Sequence, residues 1–509
     1  MNYTSKYRYS KYAFIFFLFL SSQLFLSLSI FGQQTQEFTI LQINDVYEIA
    51  PLSNGTVGGM ARVATVYKQL KAENPNTFFV HAGDFVNPSV IGTLSVDGKR
   101  IRGKQMIEVM NTAGVEYVTL GNHEFDLEYA DLQERINEST FTWVIANAKH
   151  QWNNQLSLFF KQVNDKKTFF PSSVVLKAGK LRIGLIGLML PVDVGFLEVE
   201  NPLEVVQTEY NRLKDSTEVV LALTHQTIEV DKILAAKMQM IPLIMGGHEH
   251  DNMKVKVGES VICKADANAK TAYIHRFSYD FQTKKLTVRS EIKTIDNTIP
   301  DDPKTAEVVD KWLKIAENSA RAIGLNPQAV VMETKEPLNG LESSVRSKTT
   351  NLTTFIAQAM REVSKNAVAS FFNGGSIRID DQIEGKVTEY DILRILPFGG
   401  QIFEVEMKGS LLLQVLEAGM KNRGKGGFLH HANIRLKGKN WKIGNKKIKK
   451  DKYYTIATTD FLMTGKEMGL GFLTEQNPDV RQVIKPDKNE KADLRNDIRR
   501  AIVSYLKNK

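Results

Sequence analysis

The sequence predicts an α/β protein with two domains that are joined by a helix. From Phe38 to about Lys293, short apolar runs alternate with amphipathic segments, which is typical of a layered α/β domain. The segment from Asp301 to Ile323 has one apolar helical face, with Asp302 as its predicted N-cap, and indicates a linking helix. The rest of the chain mixes helical and strand patterns, which predicts a smaller α+β domain.

Seven apolar runs in the first domain have the composition of buried strands. In chain order they are FTILQI, TFFVHA, VEYVTL, TWVIANA, LRIGLIGL, EVVLALT and IPLIMG. Helical segments such as GGMARVATVYKQLKAE lie between several of them. In the linking segment, Val309, Trp312 and Ala316 recur at helical spacing. In the second domain, TTNLTTFIAQAMREVSK and GSLLLQVLEAGMKN are predicted helices.

These patterns divide the 509 residues into four parts. Residues 1–32 have a basic start and an almost wholly apolar run, which is typical of a secretory signal peptide; the length of the run also fits an uncleaved membrane anchor. The layered domain is assigned to residues 37–298, the linking helix to 299–327 and the smaller domain to 328–509. We expect an exported protein, periplasmic or extracellular, with no membrane span in the mature chain unless the signal is retained.

Composition excludes several classes of protein. With 42% hydrophobic and 24% charged residues, the chain is typical of a soluble globular protein and not of a disordered one. The single cysteine, Cys263, has no partner for a disulfide within the chain and is predicted to be buried and inert. A basic segment, Lys437 to Lys452, predicts either a solvated hairpin or attraction to an anionic surface. Because no RNA-binding motif or zinc finger accompanies it, no nucleic-acid partner is expected.

Five apolar runs of the first domain end in side chains that can bind metal ions. In order, they supply the following residues: Asp45, Asp84, Asn122 with His123, His225, and His248 with His250. Strand ends on one edge of an α/β sheet converge in space even when they are far apart in sequence. Oxygen and imidazole ligands suit zinc, manganese or iron, and carboxylates can bridge two ions.

Each of these residues alone also fits a structural role. A histidine in a strand, such as His225, is commonly a core residue, and Asp84 after Gly83 has the position of a turn residue. We interpret His81 as a core histidine. Five such endings in one domain favour a shared site over independent coincidences.

The motifs IND, GD, GNHEFD, TH and GGHEH, in that order, resemble those of calcineurin-like metallophosphoesterases and, among these, the 5'-nucleotidase family. That family includes UDP-sugar hydrolases and 2',3'-cyclic-nucleotide phosphodiesterases. In the second domain, NGGSIR, LPFGG and GGFL also match. The resemblance spans nearly all of the chain after the predicted signal. It implies a four-layer metallophosphoesterase sandwich, joined by the linking helix to an α+β nucleotide-binding domain.

The resemblance also implies two divalent metal ions (Zn, Mn or Fe). Asp84 would bridge both ions. The other implied ligands are Asp45 and His250 on one ion, and Asn122, His225 and His248 on the other. His123, oriented by Asp126, would stabilise the transition state or protonate the leaving oxygen.

For the second domain, the resemblance implies a nucleotide cleft. The base would stack between Phe398 and Phe461 and contact Asn373. Arg346 and Arg378 would bind phosphate, for which guanidinium groups are suited. The expected function is hydrolysis of the phosphomonoester of 5'-nucleotides by metal-activated water, with a nucleotide or related small phosphoester as the partner. The alternatives are a cyclic-nucleotide phosphodiesterase, a UDP-sugar hydrolase, a thiosulfohydrolase-like activity, or a nucleotide-binding protein without turnover.

The sequence departs from the family pattern at three places. Where the family has D-x-H, this chain has Tyr47, and a neutral phenol is a poor ligand. Three explanations are open: water or Glu48 completes the site, a tyrosinate binds trivalent iron, or Tyr47 only packs and the site is one ligand short. Lys466 and Glu467 stand near the family's ribose-binding aspartate. The segment RSKTTNLTT lacks the family's acidic residue and Gly-Asn pair.

Overall fold

Two six-stranded sheets form the centre of the first domain in the computed structural model, which describes residues 35–96, 98–152 and 155–509. The predicted signal peptide, residues 1–32, lies outside the described residues. The strands of this domain in chain order are β1 (Thr35–Ile43), β2 (Thr77–His81), β3 (Ser95–Val96), β4 (Lys99–Arg100), β5 (Tyr117–Val118), β6 (Thr142–Trp143), β7 (Ala148–Trp152), β8 (Gln155–Ser157), β9 (Phe160–Val163), β10 (Lys166–Phe169), β11 (Ser173–Ala178), β12 (Leu181–Met189), β13 (Leu197–Val199), β14 (Val219–His225), β15 (Leu243–Gly246), β16 (Met253–Val257), β17 (Ser260–Lys264), β18 (Thr271–Asp280) and β19 (Lys285–Thr294).

Helices cover the outer faces of these two sheets. In chain order the helices up to the domain boundary are α1 (Met60–Glu73), α2 (Val90–Thr93), α3 (Lys104–Ala113), α4 (Tyr129–Glu138), α5 (Pro202–Leu213), α6 (Ile228–Lys237) and α7 (Pro303–Ala322). A 3₁₀ turn, His123–Asp126, follows β5.

The first domain has four layers, as predicted. The first sheet has the order β19-β18-β1-β2-β5-β6, and the second has the order β11-β12-β14-β15-β17-β16. Phe38 and Val80 of the first sheet pack against Leu185 and Leu223 of the second in one apolar core. Helices α1 and α3 cover the outside of the first sheet, with α7 packed on them, and α5 and α6 cover the second. Because both faces of each sheet are buried, the central strands are apolar without alternation.

All seven predicted strands are present, but two of them are only two residues long. In VEYVTL only Tyr117–Val118 is strand, and in TWVIANA only Thr142–Trp143 is. The residues after Val118 are buried but turn away from the ladder, toward the GNHEFD loop. These residues are apolar because they are buried. Their hydrogen bonding to the neighbouring strand stops early because the chain turns into the loop.

The linking helix α7 is confirmed. The Asp302 side chain accepts a hydrogen bond of 3.1 Å from the Thr305 N–H, which caps the helix at the predicted residue. Val309, Trp312 and Ala316 are buried against the first domain. Helix α7 packs on α1 and α3.

The second domain is a smaller α+β unit, as predicted, around a five-stranded sheet of order β24-β21-β28-β23-β29. Its strands are β20 (Val330–Asn339), β21 (Ala369–Asn373), β22 (Gln382–Thr388), β23 (Ile402–Lys408), β24 (Leu429–Ala432), β25 (Ile434–Lys437), β26 (Asn440–Ile443), β27 (Lys446–Lys447), β28 (Tyr453–Thr459) and β29 (Val480–Ile484). Its helices are α8 (Glu342–Val345), α9 (Asn351–Val363), α10 (Glu389–Ile395), α11 (Gly409–Lys421) and α12 (Ile498–Lys507), and its 3₁₀ turns are Gly374–Ser376 and Leu494–Asn496.

Two local predictions outside the site are confirmed. The basic segment forms the antiparallel strands β25, β26 and β27, with a turn at Gly444, and most of its lysines are exposed. Cys263 is fully buried in β17, and burial raises the pKa of its thiol to about 11, which disfavours the reactive thiolate. Within the described part of the chain, no helix has the length and apolar character that a membrane span requires.

Candidate metal centre and adjoining cleft

The ends of parallel strands from both sheets bring the predicted ligands together. Strands β1, β2 and β5 are parallel neighbours in the first sheet, as are β12, β14 and β15 in the second. Asp45 and Asp84 follow β1 and β2, and His225 ends β14. One ligand atom from each of these three buried residues lies within 4.8 Å of the others. The convergence expected from the strand ends is therefore present in the structure.

The backbone at this cluster is strained. Asp45, Asp84, His248 and His250 have φ angles of 53°, 61°, 96° and 65°, in the left-handed region that residues other than glycine rarely adopt. Each such residue costs about 1–3 kcal/mol and persists only where the surrounding structure holds it. Strain at four of the six predicted ligands favours a functional site over a set of core residues.

Two glycines of the motifs are required by close approach. A Cβ atom at Gly121 would clash with the Asp84 carboxylate. A Cβ atom at Gly247 would lie 2.6 Å from the Ala82 carbonyl oxygen. The GN and GGH loops can therefore approach Asp84 and its loop only because these positions lack side chains.

The side chains around the cluster have the chemistry of a site for divalent ions. The Nδ1 of His225 donates to the Ala82 carbonyl at 2.7 Å, which leaves Nε2 facing the carboxylates, 3.1 Å from Asp84 Oδ2 and 3.9 Å from Asp45 Oδ1. The Oδ1 of Asn122 is buried without a hydrogen-bond partner. A buried oxygen of this kind costs free energy unless an ion or water binds it. The donor set therefore fits the implied metal ions.

Charges within the cluster overcome the effect of burial. Burial raises the pKa of the Asp45 and Asp84 carboxyls, but the positive charge of His225 brings both below their usual range. Burial lowers the pKa of His225, but Asp84 and Asp45 raise it to about 9. Burial and repulsion from His225 lower the pKa of His248 to about 4. A divalent ion that binds here competes with the proton on His225.

A histidine–carboxylate pair lies beside the cluster. His123 Nδ1 is 2.8 Å from Asp126 Oδ2, and its backbone N–H donates to Asp84 Oδ1 at 2.7 Å. Burial lowers the pKa of His123, but Asp84 and Asp126 raise it above its usual value. Asp126 also accepts hydrogen bonds from Asn87 Nδ2 at 2.8 Å and from Arg378 Nη2 at 2.9 Å. The imidazole is thus oriented by a carboxylate that both domains hold.

An open cleft of about 610 Å³ lies in the second domain. Phe398 and Phe461 both line it and are 60% and 43% exposed, so two aromatic rings together present apolar surface within one cleft. Asn373 also lines the cleft, and its Nδ2 donates to Glu467 Oε2 at 2.7 Å. The Arg378 guanidinium lies 5.9 Å from the Phe398 ring centre. The structure therefore places three of the predicted substrate contacts in one cleft, with Arg378 between it and Asp126.

Arg346, like Arg378, does not line this cleft. Its Nη1 lies 2.6 Å from Glu342 Oε1, one helical turn earlier. Glu342 itself lines a narrow gap shared by His123, His250 and Arg378. A role for Arg346 in binding phosphate stays a prediction.

Comparison with protein families matches both domains. Residues 38–252 match the calcineurin-like phosphoesterase family, and residues 330–472 match the 5'-nucleotidase C-terminal domain. The chain belongs to the 5'-nucleotidase family.

Individual members of this family cover most of the chain. The 5'-nucleotidase of Bos taurus is 26% identical over 455 residues, which are 79% of this chain and 75% of the bovine protein. The 5'-nucleotidase precursor of Thermus thermophilus has the same fold, with a TM-score of 0.66 at 22% identity, covering 93% and 96% of the two chains. A sulfate thiohydrolase of Thermus thermophilus also has this fold, with a TM-score of 0.60 at 15% identity, covering 92% and 94%.

Tyr47, which stands where the family resemblance implies a histidine, lies inside the cluster. It is 5% exposed, and its hydroxyl is 2.9 Å from His250 Nε2 and 3.3 Å from Asp84 Oδ2. The Glu48 carboxylate is engaged elsewhere, since it accepts a hydrogen bond of 2.7 Å from Tyr390 in the second domain. Because Glu48 is engaged by Tyr390, this arrangement favours water over Glu48 as the substitute for the histidine ligand that the chain lacks at position 47.

Two buried charged residues that were not predicted from the sequence hold the ligand loops. Glu124, the acid inside GNHEFD, accepts hydrogen bonds from the backbone N–H groups of Asp84 at 3.0 Å, Phe85 at 2.8 Å and Gly121 at 2.6 Å. It thereby joins the loops after β2 and β5. Glu124 stands between His123 and Asp126, the two residues of the motif to which a role was assigned. The phenylalanine that follows it, Phe125, is the sequence signal that could have indicated its burial.

Lys264 is the second residue that was missed. Its buried Nζ lies 2.5 Å from Glu249 Oε2, 2.9 Å from Asp231 Oδ2 and 2.7 Å from the Gln226 carbonyl oxygen. Glu249 stands between the two histidines of GGHEH, so this contact fixes the loop that carries them. A lysine at the end of a strand gives no sequence signal for such a role, because most lysines there are exposed.

Proposed function

We propose that the protein is a two-metal phosphohydrolase that cleaves the phosphomonoester of 5'-nucleotides. One observation carries the proposal: Arg378 contacts both the histidine–carboxylate pair beside the metal cluster and an aromatic ring of the cleft. A nucleotide has a charged phosphate at one end and a flat base at the other. The arrangement of cluster, guanidinium and aromatic cleft matches that order of groups.

The side chains of this chain have distinct parts in the proposed reaction. Asp84 would hold the ions together with Asp45, Asn122 and the three histidines, and the ions would supply Lewis acidity toward phosphate and water. Arg378 binds the phosphate through its planar fork of N–H donors. His123, held by Asp126, donates a proton to the leaving oxygen or stabilises the charge that develops there. Phe398 and Phe461 stack on the base, and Asn373 contacts its edge.

Phosphate release tests this function. AMP, UMP, UDP-glucose and a 2',3'-cyclic nucleotide are each incubated with the protein and added Zn²⁺, Mn²⁺ or Fe²⁺. We expect metal-dependent release from AMP and UMP. Faster cleavage of UDP-glucose or of the cyclic nucleotide would instead identify one of the related activities on this scaffold.

A second candidate function is nucleotide binding without turnover. Tyr47 favours it, because the phenol contacts the cluster where the family has a ligand. Binding of metal and AMP without phosphate release under any tested metal would support this candidate and contradict hydrolysis.

The aromatic pair gives a prediction about affinity. Phe398→Ala and Phe461→Ala should each raise KM for AMP about 5- to 150-fold, because stacking of a base on an aromatic ring is worth roughly 1–3 kcal/mol. KM for p-nitrophenyl phosphate, which lacks a nucleobase, should change much less. Phe169→Ala is the matched control, since Phe169 is 52% exposed but lies in the first domain on β10. Equal effects on both substrates would show that the two rings only pack.

Tyr47 gives a prediction about metal content. If the site is one ligand short, the purified protein should hold one ion firmly and require addition of the second. Tyr47→His should tighten the second ion, since imidazole offers a lone pair near neutral pH whereas a phenol must first lose a proton. Tyr47→Phe is the control that removes the hydroxyl without adding a ligand. Metal titration of the three proteins measures the effect.

The alternatives for Tyr47 predict different spectra. A tyrosinate bound to trivalent iron predicts a coloured protein with a visible charge-transfer band that Tyr47→Phe abolishes. A colourless wild-type protein that already holds two tightly bound divalent ions would contradict both the weakened site and the iron site.

We further propose that the protein is exported to the periplasm or the cell exterior. The support is the basic and apolar composition of residues 1–32. N-terminal sequencing of the protein from the producing cell tests it. A mature chain that starts near Gly32 is expected, and an intact N-terminus in a membrane fraction would indicate a retained anchor.

A further inference from the structure

A carboxylate from the second domain contacts one of the predicted metal ligands in the first. Asp380 Oδ2 lies 2.8 Å from His250 Nδ1. The other ring nitrogen of His250, Nε2, faces the cluster, 3.4 Å from Asp45 Oδ1. The imidazole therefore lies between the two domains, with one nitrogen toward each.

Asp380 is itself held firmly in place. Its Oδ1 accepts a hydrogen bond of 2.5 Å from the backbone N–H of Glu342. Its φ angle is 37°, a left-handed conformation that an aspartate adopts at a cost. The strained backbone and this hydrogen bond together restrict the orientation of the Asp380 carboxylate. Its second carboxylate oxygen is therefore presented to His250 in one direction.

We infer that Asp380 is a positioning residue for His250, so that the second domain completes the metal centre. A carboxylate that accepts the Nδ1 proton fixes the tautomer in which the Nε2 lone pair is free for an ion. It also fixes the ring plane and makes the imidazole more basic. This inference rests on the proposed metal centre and does not depend on which phosphoester is cleaved.

The neighbouring residue supplies a matched control. Asp381 Oδ1 lies 2.6 Å from Lys270 Nζ, which is also a contact between the two domains. Asp381 does not touch His250 in the structure. Loss of Asp381 therefore weakens the contact between the domains but leaves the His250 imidazole held. Loss of Asp380 weakens the contact between the domains and also releases the imidazole.

The experiment measures metal affinity and not turnover. Zn²⁺ and Mn²⁺ are titrated calorimetrically into the metal-free full-length protein and into Asp380→Ala, Asp380→Asn and Asp381→Ala. For Asp380→Ala we expect the ion at the Asp45–His250 side to bind about 10- to 100-fold more weakly, the usual effect of losing such a partner. Asp380→Asn should recover part of this loss, because its amide oxygen still accepts from Nδ1. Asp381→Ala should bind both ions nearly as the wild type does.

Three results would overturn the inference. Wild-type affinity in Asp380→Ala would show that His250 needs no partner. Equal losses in Asp380→Ala and Asp381→Ala would show that the domain boundary matters and the histidine contact does not. A wild-type protein that binds no divalent ion would refute both the metal centre and this inference. Normal metal binding with Asp380-dependent affinity but no phosphate release would refute the proposed function alone.

Discussion

Replacing Asp84 with alanine should remove both metal ions and nearly all phosphate release. The Asp84 carboxylate lies 3.1 Å from His225 Nε2 and 3.3 Å from the Tyr47 hydroxyl, so it occupies the middle of the cluster. It also accepts the backbone N–H of His123 at 2.7 Å. Without it, the remaining side chains supply one carboxylate, Asp45, which is too little charge to hold two divalent ions close together.

Elemental analysis of the purified variant, together with an AMP assay, measures this effect. Asp84→Asn is the isosteric control, since it keeps the volume and one acceptor oxygen but loses the charge, and it should also fail to hold two ions. A circular dichroism spectrum like that of the wild type confirms that the fold persists. Retention of two tightly bound ions in either variant would show that Asp84 is not the bridge.

His123→Ala should lower turnover about 10²- to 10⁴-fold, the usual contribution of a positioned acid–base group. Its metal content should stay at the wild-type value. The physical reason is that His123 contacts Asp84 through its backbone N–H, which alanine retains. The imidazole pairs with Asp126 and is not assigned to an ion.

Steady-state kinetics with AMP and metal analysis of the same preparation distinguish a catalytic loss from a binding loss. A fall in kcat with little change in KM is the expected pattern, since an interaction made mainly in the transition state is lost. Loss of an ion from this variant would instead make His123 a ligand and overturn its assignment.

The parts of the site that the sequence predicted are those that local pattern determines. Asp45, Asp84 and His225 each stand where an apolar run ends, and parallel strands bring such ends together whatever the loops between them contain. Asp302 could be predicted as a cap because capping depends on the next few residues alone.

The parts that the sequence did not predict depend on contacts between distant segments. Glu124 and Lys264 are charged residues that become buried only because the loops around them fold over the strand ends. Asp380 contacts His250 across 130 positions of the chain and a domain boundary. Periodicity and spacing describe one segment at a time, so they contain no information about such pairs.

The contact between Asp380 and His250 also makes ion binding and domain docking parts of one equilibrium. These two equilibria are thermodynamically linked. If docking of the second domain raises the affinity for the ion by a certain factor, the bound ion raises the equilibrium constant for docking by the same factor. A tenfold change in affinity corresponds to about 1.4 kcal/mol, which is comparable to one or two hydrogen bonds at the boundary. Depletion of metal should therefore loosen the second domain, and a substrate held by both domains should in turn retain the ion.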